Sequence, residues 1–211
     1  MDAFEDLVRT WANAACADWG YPSTSDDWLT TALQRLPAGL GSAIAHGVDS
    51  GQVRLVDGHR FTLEGLESGK GPYAFFSRSS RREPSPNWEY FVQVAEYLRL
   101  RAALSGRGLR VTFEDDLMDL AVYADEGLVW CIEVKERARQ LPPLVAGIRK
   151  HGHHVDFEVP DRGNDPLRKA KYLVQRRPPY FSAVAVGCRL DYSVTHTDGG
   201  FELVEDVVPF A

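Results

Sequence analysis

A mixed α/β core preceded by a mostly helical region is the fold class that this 211-residue sequence predicts, and three observations carry the prediction. The first is an apolar stripe at helical spacing, Phe91, Ala95, Leu98 and Ala102, within NWEYFVQVAEYLRLRAAL. The second is a succession of strand-forming segments, LRVTFED, LMDLAVYA and LVWCIEVK. The third is the C-terminal run of elements: QLPPLVAGIRKHG and PLRKAKYLVQRR as helices, FSAVAVG as a buried strand, and FELVEDVV as a late strand or turn of helix. A helix, a three-strand meander, helical sequence and a returning strand make an αβββαβ core.

The elements before that core read in order. Asp2 to Ala17 predicts a helix. SDDWLTTALQRL predicts a second, with Ser25 as N-cap, Trp28, Leu29, Ala32, Leu33 and Leu36 at helical spacing, and Pro37 ending it. After GLGSAIAHGV, the residues Val53, Leu55, Phe61 and Leu63 flank an Asp57-Gly58 turn and predict a β-hairpin. Helices followed by a hairpin make residues 1–70 winged-helix-like in architecture, a pattern that a plain helical cap shares. The Gly- and Pro-rich stretch from Glu67 to Pro86 marks the boundary with a second domain, 71–211. Within it, Ser85 and Pro86 suit the N-cap and first residue of the helix over 87–104.

With 44% hydrophobic residues the chain can bury a substantial core. Its three cysteines, Cys16, Cys131 and Cys188, are widely spaced and form neither a disulfide framework nor a CxxC zinc motif, which fits a reducing cytoplasm. The acidic N-terminus does not resemble a signal peptide, and no segment reaches membrane-spanning length, so the expectation is a cytoplasmic protein with no membrane partner. A net charge of -6 argues against non-specific coating of nucleic acid. Basic residues gather locally all the same: Arg78, Arg81 and Arg82, then Arg99, Arg101, Arg107 and Arg110, then Arg168, Lys169, Lys171, Arg176 and Arg177. GxxxxGK[ST], GxGxxG and GxSxG are absent, and HGHH (His151, His153, His154) lacks an HExxH or cysteine context.

The chemistry concentrates in LMDLAVYADEGLVWCIEVKER, where Asp119, Glu133 and Lys135 sit inside strand-forming sequence. Charges there are costly unless paired or ligating a metal. Alternation puts Asp119 on the face of Leu117, Ala121 and Tyr123, and Glu133 and Lys135 on the face of Val129 and Cys131. If Asp125-Glu126-Gly127 is a three-residue loop with Gly127 left-handed, Ala124 pairs with Leu128 and Asp119 falls opposite Glu133, with β-carbons about 5 Å apart. Such a pair needs a positive partner, and Mg²⁺ takes one or two carboxylates plus water and substrate phosphate. Substituting Glu133 with Gln is then expected to relieve repulsion in the metal-free protein.

An acid on the second strand, Asp119, followed beyond a hairpin by Glu-x-Lys on the third, Glu133 and Lys135, resembles the PD-(D/E)XK nuclease superfamily. The resemblance covers 87–187; Met118 stands where many members have proline, and residues 1–70 lie outside it. It implies a restriction-endonuclease-like fold and a metal-dependent endonuclease acting on DNA, in restriction, anti-phage defence or DNA processing. It further implies Mg²⁺, replaceable by Mn²⁺, held by Asp119 and Glu133 with the Val134 carbonyl. Lys135 would hold the attacking water or offset charge at phosphorus, and Glu89 or Glu96 on the preceding helix would join the site. Arg78, Arg81, Arg82, Arg168, Lys169 and Lys171 would grip the nucleic-acid backbone, and the protein would work as a homodimer or within a larger defence or repair complex. The competing expectation is a catalytically idle nuclease-like module that binds DNA or protein.

Overall fold

The structure is a computed structural model that describes residues 3–35, 38–66, 70–125, 127–162 and 165–209. Contacts divide the chain into two compact units, Met1–Leu98 and Arg99–Ala211, with the division inside a helix rather than near Gly71.

The first unit opens with α1 (Ala3–Trp19), α2 (Asp26–Leu33) and α3 (Ala38–Asp49). Ser25 caps α2 as expected: its side chain accepts from the Trp28 amide at 3.1 Å. Pro37, expected to end that helix, and Asp2, expected to open α1, lie outside the described residues. The Asp57-Gly58 turn forms the hairpin of β1 (Val53–Val56) and β2 (Arg60–Leu63), with Val53 opposite Leu63 and both turn residues left-handed. Here β3 (Tyr73–Ala74) adds a third strand. Contrary to expectation, Ser85 and Pro86 are not the start of a helix. They belong to β5 (Pro84–Pro86), which pairs with β4 (Phe76–Arg78), and α4 (Trp88–Leu104) begins after them. Phe75, stacked on Trp11, Phe61 and Phe91 at 5.1, 4.1 and 4.5 Å between ring centres, is the middle of this unit's aromatic core.

The second unit is built on a six-stranded mixed sheet. Its strands are β6 (Leu109–Asp115), β7 (Met118–Ala124), β8 (Gly127–Lys135), β9 (Tyr180–Ala185), β10 (Cys188–His196) and β11 (Phe201–Glu205), in spatial order β11-β10-β9-β8-β7-β6. All neighbours are antiparallel except β8 and β9, which are parallel. A parallel pair needs a long crossover, and α5 (Leu141–Lys150) and α6 (Pro166–Arg176) supply it. Leu141, Val145 and Ile148 of α5 and Leu167, Ala170 and Leu173 of α6 pack in one core with Ala121, Tyr123, Cys131, Phe181 and Ala183 of the sheet. The meander, both helices and the returning strand are thus as predicted. In addition β10, unpredicted, lies between β9 and β11.

The β7–β8 hairpin reaches the predicted end by a different route. Gly127 is not a left-handed loop residue; it pairs with Ala124 in the ladder, and Asp125 carries the positive φ, at 50°. Glu126 lies outside the described residues. The shorter loop would put every later pair out of step, but the register shifts between Tyr123↔Leu128 and Val122↔Trp130, so that Val129 is an extra residue, a β-bulge. Beyond it Ala121 faces Cys131 and Leu120 faces Ile132, and the next pair in that register is Asp119 with Glu133. Deleting Val129 should therefore leave these pairings in place and give a protein that still melts cooperatively by circular dichroism. Deleting Cys131 closes the bulge as well but puts Trp130 in the place of Cys131 in the helix-covered core, and should destabilise severely by overpacking. Equal failure of both deletions would contradict this register.

Candidate functional site

The site is assembled from β7, β8 and α6, all within the second unit. Glu133 is 1% exposed and is paired along its row with Ala183 on β9. Two ammonium groups hold that carboxylate. Lys135 Nζ donates to Glu133 Oε1 at 3.1 Å and to the Val134 carbonyl at 2.6 Å. Lys169 Nζ, from α6, lies 2.7 Å from Glu133 Oε2 and donates to the Leu117 carbonyl. The contact with Oε2 is an ion pair without hydrogen-bond alignment, so this buried oxygen has the charge compensation of a lysine but no directed donor.

Asp119 sits on the neighbouring strand and accepts the Val134 amide at Oδ2, at 2.6 Å. Burial, then the Glu133 charge, push its carboxyl well above the ordinary carboxylate range; Lys135, the Val134 amide and Lys169 pull the other way without cancelling the rise. A carboxyl raised in this way favours the fold while protonated and loses that contribution as pH climbs through its folded value.

A cleft of about 140 Å³ opens beside Asp119. Glu114, Asp116, Leu117 and Met118 line it from the β6–β7 turn, and Arg168 and Lys169 from α6. Glu114 and Asp116 both adopt left-handed backbone, at φ 52° and 57°, a sparsely populated conformation for non-glycine residues. The turn is tied to the rest of the unit at Asp115, whose Oδ2 accepts the Tyr123 hydroxyl at 2.5 Å, while Arg176 donates to the same hydroxyl at 3.0 Å. Burial and the Asp115 contact push the Tyr123 hydroxyl up to about 12, so it stays protonated as a donor.

The residues expected on a basic grip are engaged within the protein to differing degrees. Lys169 is 5% exposed and belongs to the acid cluster rather than to an open face. Lys171 donates to the carbonyls of Phe157 and Val159 and to Asp161 Oδ2. Arg168 lies 3.9 Å from Asp161 and lines the cleft. In the first unit, Arg78 lies over the Trp19 ring, Arg82 donates to the Gly20 carbonyl, and Arg81 is exposed. Glu89 and Glu96 lie on α4 in that unit, Glu89 half-buried and Glu96 buried.

Lys169 is the member of the cluster whose role sequence reading missed. Its signal was present: its i+3 and i+4 neighbours, Tyr172 and Leu173, are apolar, which puts a lysine on the buried stripe of a basic helix. Among the described residues no three acidic, histidine or cysteine side chains converge as a metal-binding set. What the cluster offers is two carboxylates, one of them with an oxygen that no donor satisfies, and one carbonyl. That donor set suits a hard cation drawing its other ligands from water and substrate. Comparison with protein-family models, curated proteins and solved structures finds no match.

Two substitutions separate the roles of the acids. Asp119→Asn keeps an acceptor for the Val134 amide and removes the raised carboxyl, so the fall of the melting temperature with increasing pH in EDTA should flatten. Glu133→Gln, expected from sequence to relieve strain, should instead destabilise by about 3–5 kcal/mol, because it takes the paired carboxylate from the buried Lys169 ammonium and from half-buried Lys135. An undiminished pH slope in the first variant, or a gain of stability in the second, would contradict the charge assignment.

Proposed function

We propose that this chain is a metal-dependent phosphodiesterase of the PD-(D/E)XK kind, acting on DNA as an endonuclease, with the second unit as its restriction-endonuclease-like core. The observation that carries this reading is the close pair of carboxylates on adjacent strands, buried Glu133 and half-buried Asp119 at the edge of a polar cleft, with Lys135 on the same face. Nothing in sheet packing calls for two like charges side by side, and they are retained at a cost to stability. The order of elements in that unit, a meander, helices and a parallel strand, supports the same reading.

Asp119, Glu133 and the Val134 carbonyl are the residues that would hold Mg²⁺ or Mn²⁺, which when bound polarises a phosphoryl oxygen and makes water a nucleophile at neutral pH. Lys135 stands at the carbonyl and at Glu133, where its ammonium can hold the attacking water or offset charge growing on phosphorus. Arg168, on the cleft wall, is placed to hold the phosphate, and it fixes position without reading sequence. Glu89 or Glu96 as a further ligand, a role for Arg78, Arg81 and Arg82 on DNA, assembly as a homodimer or larger complex, and a place in defence or repair are further parts of this reading.

A second reading has a specific observation behind it. Both Glu133 oxygens and the Val134 carbonyl already face lysine ammonium groups, which is how a cluster that has given up metal for internal salt bridges would look. That would be an idle, nuclease-like binding module.

One experiment decides between them. Supercoiled plasmid and short duplexes are incubated with the protein in Mg²⁺ or Mn²⁺, with binding measured separately in Ca²⁺. The nuclease reading expects nicking or linearisation that requires the divalent cation. It also expects Lys135→Ala to cut at least about a hundredfold more slowly at equal DNA binding. Binding in Ca²⁺ with no cleavage in either metal would favour the idle module.

A further inference from the structure

Lys169 reaches the acid cluster from α6 with two bonds made at once, to Glu133 Oε2 at 2.7 Å and to the Leu117 carbonyl. Its side chain is 6% exposed and that of Glu133 is 2% exposed, so neither charge is supported by bulk water. Each is there because of the other. With Lys135 on the opposite carboxylate oxygen, the cluster sets two ammonium groups against two carboxyl groups.

Resting on the metal-dependent reading above, we propose that Lys169 is a built-in counter-ion that occupies the place of the divalent cation at Glu133 and must give up Oε2 when the cation binds. Adding a divalent ion to a cluster whose acids already face two ammonium groups leaves an excess of positive charge beside buried Glu133. Retreat of the Lys169 ammonium from Oε2 relieves part of it. The Leu117 carbonyl, which forms part of the cleft wall, can keep that ammonium beside Arg168. There the negative charge of a phosphodiester offsets the remaining excess. Metal uptake is therefore weak in the free protein and strengthened by the substrate. Lys169 is a positioning residue: it holds the Glu133 carboxylate in place at the cluster until metal and phosphate arrive together.

The test is Mn²⁺ binding to the full chain without DNA, followed by the electron paramagnetic resonance of the free ion, in the parent, Lys169→Met and Lys169→Arg. Removing a like charge this close to the ion should raise Mn²⁺ affinity at least about tenfold in Lys169→Met. Lys169→Arg keeps the charge and can hold both carboxylate oxygens, so its affinity should equal the parent's or fall below it. It also covers the case in which Lys169→Met does not fold. Unchanged or weaker Mn²⁺ binding in a folded Lys169→Met, or stronger binding in Lys169→Arg, overturns the proposal while leaving the metal site in place. No Mn²⁺ uptake by the parent, with or without a duplex whose binding is seen in the same sample, removes the metal reading and this inference with it.

Discussion

Two carboxylates face each other on neighbouring strands, and the second unit is arranged to tolerate them. Asp119 and Glu133 would repel at the separation of a cross-strand pair, with Glu133 withdrawn from water and Asp119 half-buried at the cleft. Three features of the fold keep the pair in being. The Val134 amide gives Asp119 a donor, Lys135 gives Glu133 one ammonium from its own strand, and α6 brings in another through Lys169. The last depends on the parallel pairing of β8 with β9, because that pairing calls for a crossover, and the crossover lays α6 across the same face of the sheet. Compensation is uneven, however. Both lysines contact Glu133, and at Asp119 burial first and the Glu133 charge second leave a raised carboxyl that the lysines and the Val134 amide only partly offset.

Much of this was legible in the sequence because it arises from alternation and hydrophobic run length. Apolar strands with an acid at a fixed parity predicted both the meander and the facing pair, and Ser25 and Asp57-Gly58 each formed the local structure their side chains and backbone preferences favour. The route to the facing pair was not legible. A two-residue turn with a bulge and a three-residue loop without one lead to the same register at Glu133, and no local preference distinguishes Val129 as the extra residue. Ser85-Pro86 failed for a related reason: a serine before a proline suits a helix start, but pairing with Phe76–Arg78 won it for a strand. Lys169 was hidden by composition, since a helix with Arg168, Lys171, Arg176 and Arg177 reads as a solvated basic face until its apolar stripe is traced. The β10 strand, with only Tyr192 and Val194 of its nine residues buried, lacked the apolar run that marked β9.

The site's cost to the fold and its proposed chemistry have one origin. A paired-acid cluster neutralised from within is stable enough to fold, yet it has a carboxylate oxygen that no donor satisfies and a neighbouring carboxyl held above its ordinary range. On the proposed reading a cation that takes oxygen ligands relieves both features, a phosphate is the partner that offsets the cation's charge, and metal and substrate bind together rather than metal first.

The most direct measurement is the location of bound Mn²⁺ by anomalous diffraction from crystals grown with a short duplex. One strong peak is expected between the carboxylates of Asp119 and Glu133, adjoining the Val134 carbonyl, with the Lys169 ammonium turned away from Oε2 and a DNA phosphate in the cleft. A duplex bound elsewhere, no peak at the acids, and both lysines still seated on Glu133 would contradict the metal-dependent reading.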